Sequence, residues 1–334
     1  MLTRPLGTTG TAVTAIGYGA APLGNLYTAV SDAEADAAVQ AAWDAGIRYF
    51  DTAPHYGLGL SERRLGAALQ GRPRDELVIS TKVGRVLLPA PGGEHERDLA
   101  AGFDVPADLR RERDFSRDGV LRSIEASLDR LGLDRVDVAY VHDPDDHEEA
   151  ALEGALPALV ELRDQGVVRA VGVGMNQSAM PARFVERVDL DVVLLAGRYN
   201  LLDQSALDDL LPAALRRGTS IVVGGVFGSG VLAREWPPDD ATHDYGPAPA
   251  EVLGRARRMA QLCREHGVTL PAAAVQFPLA HPAVASSLLG MRSAAEVERN
   301  AALLDVRVPR ELWDALQDEG LVRADAPIPT GVAA

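Results

Sequence analysis

The chain has 334 residues, of which 47% are hydrophobic and 24% are charged, and its formal net charge at pH 7 is −15. This composition excludes global disorder, and the acidic balance argues against a nucleic-acid partner. The apolar runs are too short to span a bilayer and the N-terminal MLTRPLGTTG is not a signal peptide, so we expect a cytoplasmic protein without a membrane partner.

Short apolar runs alternate with helical patterns along the whole chain. Residues 2–13, with TTGT in the middle, predict a small hairpin that closes one end of the fold. The predicted buried parallel strands lie at 15–19, 48–51, 77–82, 136–142, 168–172, 192–195, 220–223 and 285–289. The helical patterns lie at 32–45, 61–69, 117–131, 149–165, 178–188, 204–216 and 250–266. Eight strand–helix units predict an α/β protein, a (β/α)8 TIM barrel, and without a linker-like segment we predict one domain over residues 1–334.

Two connections are too long to be simple turns. Residues 85–116 and 231–249 are rich in Pro, Gly and charged residues, and we expect both to be long loops without secondary structure. Each follows the C-terminal end of a predicted strand, which is the catalytic face of this fold. We therefore expect both to border the active site, although a mobile surface insertion is an alternative for the first.

Four reactive side chains lie at or just after predicted strand ends: Asp51 and Tyr56 in RYFDTAPHYG, Lys82 in LVISTK, and His142 in VDVAYVH. Strand ends converge on one mouth of a barrel, so these residues are predicted to meet. Tyr56 would donate or accept a proton, and a nearby Lys82 cation would lower the pKa of its phenol. Asp51 would pair with Lys82, and His142 would hydrogen-bond the substrate oxygen. Alone, the Asp could be a helix cap and the Tyr a packing residue; together they are typical of an oxidoreductase.

The segments DTAPHYGLGLSERRLG, STKVGR and YVHDPD resemble the aldo-keto reductase superfamily. The resemblance covers nearly the whole chain and is strongest to the branch of D-threo-aldose 1-dehydrogenase, L-fucose dehydrogenase and pyridoxal 4-dehydrogenase. It implies a (β/α)8 barrel, a nicotinamide cofactor (NADP or NAD), and catalytic roles for the four residues above. It also implies that Tyr56 takes a proton from the anomeric hydroxyl of an aldose while hydride leaves C1, giving a lactone. The alternatives are an aldehyde or ketone reductase, a pyridoxal dehydrogenase, and a redox-sensing barrel without catalysis.

Two glycine- or serine-containing segments are predicted to hold the cofactor. GGVFGSG (224–230) follows the seventh predicted strand, where small residues let backbone N–H groups approach a pyrophosphate. GMRSAAEVERN (290–300) follows the eighth strand and starts a helix, and by resemblance it meets the adenosine ribose, or its 2′-phosphate, and the adenine. The expected cofactor residues are Asn176, Gly225, Phe227, Ser229, Gly230, Arg292, Ser293, Glu296 and Asn300.

The sequence departs from the family pattern in places. A Gln that relatives carry is replaced by Ala196, and the tyrosine that stacks under the nicotinamide aligns near Gly224, which leaves Phe227 or Arg198 to support the ring. Arg292 could pair with a 2′-phosphate or stack on adenine, so the preference between NAD and NADP stays open.

The substrate is expected to be a small molecule, and four residues in predicted mouth loops are candidates for its pocket. Tyr18, Asn25, His55 and Trp236 carry aromatic and amide groups that suit a sugar, although each could equally be a packing residue. HDPDDH (142–147) fits no common ligand spacing, so no metal is expected. Nothing in the sequence specifies an oligomeric state.

Overall fold

The computed structural model describes residues 1–330. Numbered in chain order, its strands are β1 (Thr3–Pro5), β2 (Ala12–Thr14), β3 (Ile16–Gly19), β4 (Tyr49–Asp51), β5 (Val78–Val83), β6 (Arg85–Pro89), β7 (Leu109–Arg113), β8 (Val138–His142), β9 (Ala170–Met175), β10 (Val192–Ala196), β11 (Ser220–Gly224), β12 (Thr242–His243), β13 (Gly246–Pro247) and β14 (Val284–Gly290). The helices are α1 (Asp32–Asp44), α2 (Leu60–Leu69), α3 (Arg117–Leu131), α4 (Glu148–Ala150), α5 (Leu156–Asp164), α6 (Ala179–Arg187), α7 (Leu210–Arg217), α8 (Ala250–Glu265), α9 (Leu270–Gln276), α10 (Ala294–Ala302) and α11 (Arg310–Asp318).

Eight parallel strands form a closed barrel in the order β3-β4-β5-β8-β9-β10-β11-β14, and β14 pairs with β3 to close it. The predicted (β/α)8 barrel is therefore confirmed. The strand at 168–172 lies further along the chain than predicted, because β9 keeps its pairing with β10 as far as Met175 opposite Leu195. The barrel strands are buried on both faces, as parallel strands covered by helices must be.

The helices begin where local sequence signals place them. Ser31 caps α1, and its hydroxyl accepts a hydrogen bond from the N–H of Glu34, whose carboxylate bonds back to the N–H of Ser31. The predicted helix 149–165 is interrupted by one π turn at Ala151–Ala155 between α4 and α5. Helix α9 was not predicted, since six of its seven residues are buried and no polar face reveals the helical period.

The predicted N-terminal hairpin is confirmed, as β1 pairs with β2 in antiparallel register. Leu6 in its turn is fully buried and belongs to the same apolar cluster as Val78 and Val138, the first residues of two barrel strands. The N–H of Gly7 donates to Ser220 Oγ at 2.8 Å. The hairpin therefore closes the N-terminal end of the barrel and leaves the C-terminal end open.

The long connections are more ordered than predicted. Within residues 85–116, β6 and β7 form an antiparallel ribbon with Arg85 opposite Arg113, and the segment between them folds into short turns. The second connection contains the two-residue strands β12 and β13. Both ribbons lie at the C-terminal end of the barrel, where Phe103 from the first and Tyr245 from the second line a cavity. Among residues 1–330, no helix has the length and apolar character to cross a membrane.

Candidate active site

Three of the four predicted catalytic residues are held together at the ends of β4, β5 and the loop that follows β4. Lys82 Nζ donates to Asp51 Oδ2 at 2.6 Å and to the carbonyl of Thr52 at 2.9 Å, and it lies 4.6 Å from the centre of the Tyr56 ring. Ser80 Oγ donates to the other oxygen of Asp51 at 2.7 Å. The lysine side chain is 1% exposed, so its charge is balanced inside the protein by a fully bonded carboxylate.

The fourth residue, His142, completes the group from the end of β8. Its ring meets the Tyr56 ring edge to face, with centroids 5.9 Å apart, and it is also in edge contact with His55 at 5.6 Å. Phe103, from the turns between β6 and β7, covers both Tyr56 (6.1 Å) and His55 (5.2 Å). An aromatic cage of three rings therefore packs against Tyr56, which stays partly exposed to the cavity, while the lysine–carboxylate pair is almost fully buried.

Burial and charge act in opposite directions on the phenol. Burial raises the pKa of Tyr56 above its ordinary value, while the Lys82 ammonium pulls that pKa down and the Asp51 carboxylate adds to the rise. The sequence predicted a lowered pKa from Lys82 alone; the structure gives a raised one because the loss of hydration outweighs the cation. For Lys82, burial lowers the pKa, but Asp51 and Tyr56 raise it more, so the lysine stays protonated.

Both histidines in the cage are neutral. Burial, followed by Arg85, places the pKa of His142 well below its ordinary value, and burial with Arg85 and Arg111 lowers the pKa of His55 to about 2. A neutral imidazole both donates and accepts a hydrogen bond. His142 is therefore equipped to hold a substrate oxygen by a hydrogen bond at neutral pH.

A buried neutral histidine makes folding sensitive to acid. The unfolded chain protonates His55 below pH about 6.5 and the folded protein does not, so stability falls as the pH drops. Between pH 7 and pH 5, we expect the free energy of unfolding of wild type to fall by about 1 to 2 kcal/mol more than that of His55→Gln. Urea unfolding at the two pH values measures this difference. An equal loss in both proteins would contradict the assignment of a neutral His55.

A cavity of about 520 Å³ opens above these residues. Tyr56, Lys82 and His142 form its floor, and Asp51 lies behind Lys82. Three large apolar side chains at its rim are exposed, namely Tyr27 (60%), Leu99 (61%) and Tyr245 (63%). A cavity of this size with a polar floor and an aromatic rim is typical of a small-molecule site.

Of the four residues predicted to form the substrate pocket, His55 lines the cavity and the other three do not. Tyr18 is fully buried and its hydroxyl donates to the carbonyl of Met291, because side chains alternate along β3 and Gly17, not Tyr18, faces the barrel interior against Tyr49. A Cβ at Gly17 would lie 2.6 Å from that ring.

Asn25 and Trp236 are also placed away from the predicted pocket. Asn25 Oδ1 accepts from the N–H of Val30 and from Arg64, and its Nδ2 donates to the carbonyl of Asp104, so its amide braces two loops. Trp236 is 44% exposed and lies against Arg264 of α8, with 5.2 Å between the guanidinium and the ring centre.

Some of the predicted cofactor residues lie at or beside the cavity, near the C-terminal ends of the strands. Asn176 lines the cavity, and a crevice of about 20 Å³ beside it is lined by Gly225 and Ser229, with Ala196 and Tyr245 shared between the two spaces. The backbone φ is positive at Gly225, Gly228, Ser229 and Gly230. The N–H groups of Gly228 and Gly230 donate to the carbonyls of Gly225 and Phe227, so these left-handed residues form a tight loop beside the crevice.

Phe227 does not face this groove, because it packs against the core beside the loop. Arg198, the other residue considered for nicotinamide support, is engaged elsewhere: its Nε donates to the carbonyl of Asn176 at 2.9 Å and its guanidinium pairs with Asp203 and Asp244. Tyr245, which the sequence did not single out, lies over the groove, and its hydroxyl donates to Asn176 Oδ1 at 3.4 Å.

Arg292, Ser293, Glu296 and Asn300 lie at the start of α10 and are not among the residues that line the two spaces above. Ser293 caps this helix by accepting from the N–H of Glu296, and the carboxylate of Glu296 accepts from the N–H of Arg292. The side chains of Arg292 and Glu296 also form an ion pair at 3.6 Å, and Asn300 is buried one turn on. A helix N-terminus with a half-exposed arginine suits an anionic or hydroxyl-rich ligand.

The barrel and the chemistry at its mouth are those of a barrel-type oxidoreductase. A model of the aldo/keto reductase family matches residues 15–319, and the chain belongs to that family, whose members use nicotinamide cofactors. A D-threo-aldose 1-dehydrogenase from a Pseudomonas species is 50% identical over 315 residues, covering 94% of this chain and 96% of that protein. A pyridoxal 4-dehydrogenase from Microbacterium luteolum is 43% identical over 335 residues, covering 96% and 97%.

Solved structures agree on the fold. The aldo-keto reductase AKR11C1 from Bacillus halodurans, in its holo form, matches with a TM-score of 0.76 and 24% identity, and the match covers 98% of both chains. The family model and the two relatives confirm the predicted family resemblance, and the protein is an enzyme of the oxidoreductase class.

Proposed function

We propose that the protein oxidises an aldose at C1 to the lactone with NAD or NADP as the hydride acceptor. The observation that carries this proposal is the buried Lys82–Asp51 pair beside the Tyr56 phenol at the floor of the cavity. The 50% identical relative is named as a D-threo-aldose 1-dehydrogenase, which supports an aldose as the substrate class.

Each of the four catalytic side chains has a separate role in the proposed reaction. Tyr56, as phenolate, takes the proton of the C1 hydroxyl, and Lys82 stabilises the negative charge on that oxygen beforehand. Asp51 keeps Lys82 charged and oriented, and neutral His142 hydrogen-bonds the C1 oxygen as it becomes a carbonyl. The oxidised nicotinamide supplies the hydride acceptor when it is bound, and we assign Asn176 and the Gly225–Gly230 loop to hold it.

The residues that line the cavity favour a sugar as the substrate over a larger apolar molecule. Tyr27, Tyr245 and Phe103 offer flat faces for the C–H side of a pyranose, while the floor carries the donors and acceptors for its hydroxyls. The exposed rim residues leave the entrance open to water-soluble ligands.

The test is a steady-state assay that follows nicotinamide absorbance with L-fucose, D-arabinose and pyridoxal under NAD and NADP. We expect turnover with an aldose and formation of its lactone. Turnover of pyridoxal alone would identify a pyridoxal dehydrogenase instead, as in the 43% identical relative. Tight cofactor binding without turnover of any aldose or carbonyl compound would identify a redox-sensing barrel.

Among the two nucleotides, we expect NAD to be preferred. Arg292 already forms an ion pair with Glu296. The carboxylate of Glu296 would repel the 2′-phosphate of NADP, whereas the same carboxylate would accept a hydrogen bond from the free 2′-hydroxyl of NAD. Glu296→Gln should raise the ratio of kcat/KM for NADP to that for NAD by about tenfold. Glu298→Gln, on the exposed side of the same helix, is the matched control and should leave the ratio unchanged. A ratio unmoved by Glu296→Gln would contradict this role.

A further inference from the structure

One acidic side chain at the cavity wall has no part in the chemistry above. Asp143 directly follows His142, lines the cavity and adopts a φ of 41°. A positive φ costs free energy in a residue with a Cβ, and it persists where surrounding contacts fix it, often at functional sites.

The contacts that fix Asp143 come from one barrel strand, β9, and from both strands of the β6–β7 ribbon. Its N–H donates to the carbonyl of Gly174 at 3.0 Å, and its own carbonyl accepts from Arg113 at 2.6 Å. Its Oδ2 accepts from Arg85 Nη2 at 2.6 Å, and the Arg85 side chain is only 13% exposed. The carboxylate is thus held in one orientation by a sheltered, charge-assisted bond.

One oxygen of that carboxylate remains available. Oδ1 of Asp143 makes no hydrogen bond to any side chain or backbone group of residues 1–330, and the side chain is 19% exposed in the cavity wall. Oδ2, the oxygen bonded to Arg85, lies 3.6 Å from His142 Nε2, so the carboxylate as a whole is next to the imidazole that is assigned to the reacting oxygen of the substrate. A carboxylate oxygen is an acceptor, so the ligand group it fits is a donor such as a hydroxyl.

We propose that Asp143, oriented by Arg85, binds the hydroxyl on C2 of the aldose. The inference rests on the proposed aldose oxidation and adds a residue that selects the substrate. His142 ends β8 and Asp143 directly follows it, so the two side chains are assigned to oxygens on adjacent carbons, C1 and C2. A site built around a hydroxyl rejects a ligand that lacks it, because the buried acceptor is then left without a partner.

The experiment crosses a protein change with a substrate change. Wild type and Asp143→Gly are assayed with the aldose that is oxidised fastest and with its 2-deoxy analogue, for instance D-arabinose and 2-deoxy-D-ribose. Glycine accepts the positive φ and removes the carboxylate. We expect wild type to prefer the hydroxylated sugar by about 10- to 100-fold in kcat/KM, and Asp143→Gly to prefer it by about threefold or less. Most of the change should appear in the KM of the hydroxylated sugar.

Two controls separate substrate binding from a structural role. Asp146→Gly changes an exposed carboxylate in the same loop and should keep the wild-type preference. The dissociation constant of the cofactor should be the same in all three proteins. A preference that persists in Asp143→Gly, or an equal loss with both sugars, would overturn the inference while leaving aldose oxidation intact. Failure of wild type to oxidise any aldose would overturn the proposed function itself.

Discussion

Tyr56→Phe should lower kcat for aldose oxidation by about 10²- to 10⁴-fold, the range that a positioned acid–base group contributes. The substitution removes only the hydroxyl. The ring keeps its contacts with Phe103 and His142 and still lies under the Lys82 ammonium, so the cavity keeps its shape. We therefore expect the dissociation constant of the cofactor, measured by fluorescence titration, to stay within about threefold of wild type.

The control for this variant is Tyr199→Phe. Tyr199 is fully buried, its hydroxyl has no hydrogen-bond partner among residues 1–330, and it packs against Phe277 rather than the cavity. It should keep wild-type kcat. Because burial raises the pKa of Tyr56, oxidation by wild type should also rise with pH above neutrality. Near-normal turnover in Tyr56→Phe, or a rise with pH that survives the substitution, would show that another group moves the proton.

The barrel and its reactive floor were predictable because both follow from patterns that are local in sequence. Apolar runs alternating with amphipathic helices specify parallel strands, and Asp51, Lys82 and His142 lie at strand ends, whose convergence is a property of the fold. Their meeting therefore needed no knowledge of loop conformation. The net pKa of Tyr56 was not predictable, since it depends on how completely Phe103 and His142 exclude water.

The walls of the cavity were beyond the sequence because tertiary packing sets them. Phe103 and Leu99 reach the cavity only because β6 and β7 pair, whereas the composition of residues 85–116 predicts a loop without secondary structure. Tyr245 reaches the cofactor groove from a ribbon of four paired residues. For Tyr18, the alternation along β3 predicts only that it and Gly17 face opposite sides; the packing of Gly17 against Tyr49 is what places the tyrosine outside the barrel.

Lys82→Met should be inactive and should also lose about 3 to 5 kcal/mol of unfolding free energy, because it leaves the carboxylate of Asp51 buried without its counter-charge. The side chains of the pair are 1% and 2% exposed, so water cannot replace the missing ammonium. Urea denaturation at pH 7, together with the nicotinamide assay, measures both losses.

The double variant Asp51→Asn/Lys82→Met tests whether Lys82→Met loses stability because of the unpaired charge or because of altered packing. With the carboxylate gone, no uncompensated charge remains, and the amide of an asparagine can still accept from Ser80 Oγ. We expect the double variant to recover half or more of the stability lost by Lys82→Met while remaining inactive, since Tyr56 still lacks its cation. A double variant as unstable as Lys82→Met would mean that the lysine stabilises the barrel through its buried hydrocarbon chain. The pair would then be a packing feature near the site, and the ammonium would have to be shown by other means to act on Tyr56.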